Sequence, residues 1–277
     1  MENPGFITFF LIITNFIFSY RGFKDYSFFT RYKFQVEQVM VYKDYKRLFT
    51  SGFLHIGWMH LIFNMLALYF FSSGLISYIG AGEFILVYVA GILGGNLFSL
   101  LIHKNDSFYS SVGASGAVFS IMFSSIALFP GMRIGLFFLP LSLPAWLFGL
   151  GYLLFSIYAI RSRSDNIGHD AHVGGGLTGM LLAVLLHPSA LVNNFVTILI
   201  IAVPAIIFIY TIIKKPGALL VDNFYYNNSR TLTKEDKYNL KKKNSQEELD
   251  RVLEKIHKKG MNSLNEKEKR LLQEYSK

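Results

Sequence analysis

Gly113-Ala114-Ser115-Gly116 and, about one helix pair downstream, Ala171-His172-Val173-Gly174-Gly175-Gly176-Leu177-Thr178-Gly179 each open an apolar run. One run begins with a serine and the other with a histidine, and both are flanked by small residues. Small residues let helix backbones approach closely where lipid supplies no hydrophobic force between helices. Gly175 and Gly179, four apart, share one helical face and seat that helix against a neighbour. Generic small-residue packing would account for the two glycines by themselves, but it leaves His172 unexplained. Ionisable groups at membrane depth are costly and usually face a cavity or carry function.

The remainder of the chain reads as the rest of a membrane protein. Its 277 residues are 52% hydrophobic, with a mean hydropathy of +0.37, too apolar for an ordinary soluble domain. Apolar runs at 6–20, 59–79, 84–102, 115–129, 144–160, 172–187 and 195–213 approach or reach the roughly 20 residues that cross a bilayer core of about 30 Å. The stretch 136–143 is apolar but short and bracketed by Gly135 and Pro144, and reads as a surface segment. The opening residues lack a basic region and a small-residue cleavage site, so they read as a retained first span. The expected fold class is therefore an all-α polytopic membrane protein. Residues 1–190 form a six-span core, 191–215 an additional transmembrane helix, and 216–277 a polar helical tail.

Two connecting regions stand out. The loop 21–59 is long, polar and aromatic, and loops of that length are usually functional or partly structured. After Pro216 the composition turns polar. Ser245-Gln246-Glu247-Glu248 reads as a capping box ahead of a stripe of Leu249, Val252, Leu253 and Ile256. Gly260 would stop that helix, and Asn265 would cap a second one. Sixteen of the 27 Lys and Arg lie from Lys214 onward, beside ten acidic residues. That bias fits a membrane surface better than a nucleic-acid groove, and no nucleic-acid partner is expected. The absence of cysteine excludes disulfides, thiolate catalysis and Cys-ligated metal.

The chemistry follows from residue types. A serine hydroxyl is a weak nucleophile until a base within hydrogen-bond reach takes its proton. His172 is the best candidate, since a neutral imidazole is available near pH 7. Attack on an amide creates an oxyanion, which needs fixed donors. His60-Leu61-Ile62-Phe63-Asn64 offers two polar side chains on one face of the second span. His169 competes with His172 for the role of base, but only His172 has the downstream glycines at the right spacing. Asp170 is expected to cap the sixth span, and His55 to pack in the loop. No His-Glu-x-x-His pair is present, and no carboxylate lies inside the neighbouring spans, so neither a metal nor another cofactor is expected. An intramembrane aspartyl protease would need paired aspartates within the spans.

Taken together, His60 with Asn64 in the second span, Gly113-Ala114-Ser115-Gly116 opening the fourth, and Ala171-His172 with Gly175 and Gly179 in the sixth resemble the rhomboid intramembrane serine proteases. The resemblance covers roughly residues 40–190 and implies that family's six-helix core. It implies Ser115 as nucleophile and His172 as general base, without a third acidic member. His60, Asn64 and the Ser115 amide would form the oxyanion site. Gly113, Gly116, Gly175 and Gly179 would support it, and Phe119 falls where an aromatic often packs on the base. The implied substrates are single-span membrane proteins, cut near the membrane surface within the lipid bilayer. The family's first loop often carries a Trp-Arg pair; here Lys46-Arg47 takes that place, with only the arginine kept.

Two other functions compete with a protease. A catalytically silent relative that binds client membrane segments would usually lose the serine or the histidine, and this chain keeps both. A transporter predicts charged or broken core helices and an internal repeat, and no convincing repeat is found. Seven spans would place most Lys and Arg on the side that holds the first loop, which the positive-inside rule makes cytoplasmic. The resemblance instead opens the site to the extracytoplasmic face, and the core is read that way. A multi-pass protein of a bacterial inner membrane is the expected setting. Pro144, Gly149 and Gly151 make the fifth span the candidate for a mobile element that admits substrate.

Overall fold

The first element, α1 (Pro4–Lys24), is an apolar helix of 21 residues that ends on Arg21 and Lys24. At 1.5 Å per residue it is about 32 Å long, enough to cross a bilayer core. The computed structural model describes residues 4–135, 142–162 and 167–214, together with positions 252, 255, 256 and 264. The chain divides into two compact units, Met1–Phe224 and Tyr225–Lys277.

The long first loop is built from short pieces: α2 (Tyr26–Tyr32), β1 (Phe34–Gln35), α3 (Val36–Met40) and α4 (Arg47–Thr50). Arg47 holds them together. Its Nη1 donates to the carbonyls of Thr30 at 2.7 Å and Lys33 at 2.9 Å, and its Nε to Asp44 at 2.9 Å. Buried backbone carbonyls need such partners. Lys46, in the place of the family's tryptophan, is mostly exposed and pairs with Asp44 at 3.4 Å. The loop is thus anchored by its arginine alone of the pair.

Helix α5 (Trp58–His103) has 46 residues, too many for one crossing, and it is interrupted at Gly80, where φ is +79° and ψ is 169°. A positive φ costs glycine nothing, and the helix breaks there into the two expected spans. Its second half returns to the end where the first began: Asn96 Nδ2 donates to Leu48 O at 2.8 Å and to Ser51 Oγ at 3.0 Å. Beyond β2 (Ser110–Ser111) comes α6 (Ser115–Leu128), in which every residue except Ser115 and Phe119 is buried. A helix apolar all round is a central helix. Its 14 residues give about 21 Å, less than the bilayer core. Ser115 opens this short helix, and of the residues just ahead of it Ala114 is buried and Ser111, Val112 and Gly113 are half-buried.

The strands β3 (Arg133–Gly135) and β4 (Ser142–Pro144) pair antiparallel; residues 136–141, most of the expected surface segment, lie outside the described residues. Helices α7 (Ala145–Ser162), α8 (His169–Leu186), α9 (Ser189–Asn193) and α10 (Phe195–Lys214) follow. In α10 the buried residues Ile198, Ile201, Ala205, Phe208 and Ile212 form a stripe at three- and four-residue spacing. This is the additional helix, long and apolar enough to cross a membrane. Asn194, just ahead of it, donates to Ala127 O at 2.9 Å at the end of α6.

In the second unit, Val252 is helical and buried. The capping box at Ser245, the stop at Gly260 and the cap at Asn265 lie outside the described residues.

Candidate active site

Three helices meet backbone to backbone around Ser115. A Cβ placed on Gly175 of α8 would collide with the Gly116 carbonyl of α6. One on Gly179 would collide with the Ser120 carbonyl, and one on Gly116 would lie 2.9 Å from Gly91 O of α5. These glycines allow the α6–α8 approach in a medium where packing is the main glue. Hydroxyls add to it, with Ser120 Oγ donating to Val87 O and Ser124 Oγ to Gly179 O, both at 2.8 Å.

The loop ahead of Ser115 is held from three directions. Strand β2 pairs with β1 of the first loop, Phe34 opposite Ser111 and Gln35 opposite Ser110. The Gly113 amide donates to Ser51 O at 3.0 Å. The Ala114 amide points at His55 Nε2, 3.4 Å away. His55 is fully buried, and its Nδ1 lies 2.8 Å from Ser19 Oγ of α1. Because Ser19 Oγ donates its hydrogen to Phe53 O, it receives the Nδ1–H of His55, which leaves Nε2 to accept from Ala114. Burial, and next the adjacent His60, lower the His55 pKa to about 3. His55 is therefore a neutral strut between α1 and the serine loop.

Gly113 has φ +139°, and a Cβ on it would stand 2.9 Å from both Cε1 and Nε2 of His60 and 3.5 Å from Ser115 Oγ. His60 thus flanks the serine loop, edge-on to His55 with ring centroids 4.9 Å apart. Its Nδ1 is buried without a hydrogen-bond partner. Asn64 is buried and donates from Nδ2 to His60 O at 2.9 Å. One of its two amide hydrogens is therefore committed to its own helix.

On α8, His172 is buried and stacks on Phe119 of α6, with centroids 4.6 Å apart and planes 24° from parallel. Phe119 also stacks on Tyr152 of α7 at 4.3 Å. The Tyr152 hydroxyl lies 2.5 Å from Nδ1 of His172. His169 sits edge-on to His172 at 5.8 Å and to Phe155 at 5.2 Å.

Asp170 does not cap α8. The N-cap is Gly168, with no side-chain cap, and Asp170 lies inside the first turn. It accepts from the Tyr109 hydroxyl at 2.9 and 3.1 Å, and His103 Nε2 is 3.3 Å from it. The Tyr109 and His103 rings stack at 3.5 Å. Burial, and next the Asp170 carboxylate, push the Tyr109 phenol well above its ordinary range, so it keeps the proton it donates. A buried carboxylate needs such partners. Satisfying it extends α8 back to His169, three residues ahead of the expected start.

Sequence reasoning did not reach Tyr152 or the Tyr109–His103 pair, and it reached His55 only as a residue packing in the loop. A second histidine ahead of His60 was a local signal for His55. Nothing local marks the other two.

A sequence model of the rhomboid domain matches residues 42–189, more than half of the chain. A second, described only as a family of unknown function, matches 232–277. Rhomboid protein 1, mitochondrial, of Saccharomyces cerevisiae is 32% identical over 157 residues, 54% of this chain and 45% of the relative. RHOMBOID-like protein 12, mitochondrial, of Arabidopsis thaliana is 35% identical over 46% of this chain and 42% of its own. The human presenilin-associated rhomboid-like protein, mitochondrial, is 30% identical over 47% and 35%. The chain thus spans under half the length of these relatives. Their mitochondrial setting does not fit the expected bacterial inner membrane. With the domain match at its core, the chain belongs to the rhomboid family and is a multi-pass membrane protein.

Proposed function

We propose that the protein is an intramembrane serine endopeptidase that cleaves single-span membrane proteins. The observation that carries this reading is the close approach of α6 and α8 beside Ser115 and His172, with Phe119 stacked on the imidazole. Ser115 and Phe119 are half-buried in an otherwise buried α6, which supports it.

Ser115 Oγ attacks the scissile carbonyl carbon while His172 Nε2 takes the hydroxyl proton, forming a tetrahedral oxyanion. The Ser115 amide, in the first turn of α6, has no intrahelical acceptor and is available to that oxygen. His60 is a second donor. A buried unpaired N–H is rarer than an unpaired acceptor, so the partnerless Nδ1 carries the lone pair and Nε2 the hydrogen. The remaining Asn64 hydrogen is a third. His172 then protonates the leaving amine, the C–N bond breaks, and an acyl-serine remains. Water, deprotonated by His172, releases the acid and restores the serine.

The test is proteoliposomes holding the protein with a panel of single-span reporters. Cleavage within or beside the lipid-facing segment, lost in Ser115→Ala, is expected. Cleavage that persists in Ser115→Ala would overturn the assignment.

A further inference from the structure

Histidine bases in serine hydrolases are held in one tautomer by a group bonded to Nδ1, most familiarly a carboxylate. The nearby carboxylate, Asp170, is taken up by Tyr109 and His103. The group at Nδ1 of His172 is the Tyr152 hydroxyl, 2.5 Å away and supplied by a third helix. We propose that Tyr152 is the positioning residue for the base: its oxygen accepts Nδ1–H, which makes Nε2 the nitrogen that takes the proton of Ser115. The inference rests on the Ser115–His172 reading given above.

Three observations carry it. A phenol both donates and accepts, so it can receive the imidazole hydrogen as a carboxylate would, without burying a negative charge. The ring has little freedom: Tyr152 stacks on Phe119 at 23° between planes, and Phe119 stacks on His172 at 24°. The three rings form one block drawn from α6, α7 and α8, so the hydroxyl is aimed by packing as well as by its bond. Phe119, four residues after the serine, carries no hydroxyl of its own, and the polar contact to the base comes instead from α7. Nδ1–H also remains bonded to the same oxygen when Nε2 becomes protonated, so no rearrangement accompanies proton transfer. The base is thus held only while α7 is seated against α8.

The test compares wild type, Tyr152→Phe and Tyr152→Leu in detergent, using the rate of fluorophosphonate labelling and the imidazole 15N shifts of His172. Tyr152→Phe keeps the ring and removes the oxygen. Labelling is expected to slow by about 10- to 100-fold, the range that losing the orienting partner of a metal-ligating histidine costs. The 15N signals should move from a protonated Nδ1 toward a mixture of tautomers, with the thermal transition retained. A role in packing alone predicts the reverse: Tyr152→Phe silent in rate and spectrum, and only Tyr152→Leu impaired. That result would overturn the inference and leave the dyad standing, because wild type would still label at Ser115. Absence of labelling in folded wild type would overturn the dyad itself.

Discussion

At Gly113 the backbone has φ +139° and the His60 ring occupies the space where a side chain would begin. Gly113→Ala therefore meets both a strained backbone, costing about 1–3 kcal/mol, and a collision beside Ser115 Oγ. The expected outcome is loss of serine labelling in a protein whose helical circular dichroism is unchanged. The His55 strut makes a different prediction. Its pKa is about 3 in the folded protein against an ordinary 6.5, so the unfolded chain binds a proton that the folded one refuses between those values. Stability from His55 is complete above pH 6.5 and is lost as pH falls toward 3. Thermal unfolding followed across that window should show a falling transition temperature in wild type and a shallower fall in His55→Gln. The sequence pointed to His55 only as a loop residue, because its partners Ser19 and Ala114 are 36 and 59 positions away.

On the proposed reading, helix α6 is the element that sets the nucleophile inside the membrane protein. Its 14 residues are fewer than a bilayer core needs, which on that reading would set its first residue at depth, and close-packed glycines bring α8 against it. Gly175→Val would drive a side chain into the Gly116 carbonyl, and backbone cannot swing aside as a side chain can. Both the thermal transition and the labelling should fall, the transition further than in Gly113→Ala. The spans themselves were legible because apolar runs and their Gly and Pro punctuation are local signals. The Gly175–Gly179 spacing likewise announced a tight helix contact. The true start of α8 was not legible. Asp170 looks like a cap when read locally, yet its partners come from a distant loop and from the end of α5. Tyr152 was hidden for the same reason: a tyrosine in an apolar helix is ordinary until the helix beside it is known.

Across the whole molecule, every residue given a role in the chemistry lies in the unit Met1–Phe224, and the unknown-function match at 232–277 lies outside it. Deleting the chain after Pro216 should leave the rate of serine labelling within about twofold of wild type. A rate reduced tenfold or more would tie the tail to the site. The family is shown by the domain match, whereas the reaction rests on two residues. Mass spectrometry of the fluorophosphonate adduct addresses those two directly, in wild type, Ser115→Ala, His172→Ala and His169→Ala. The account predicts an adduct on Ser115 in wild type and in His169→Ala, and none in the other two. Folded wild type without an adduct, or His172→Ala labelling as fast as wild type, would contradict it.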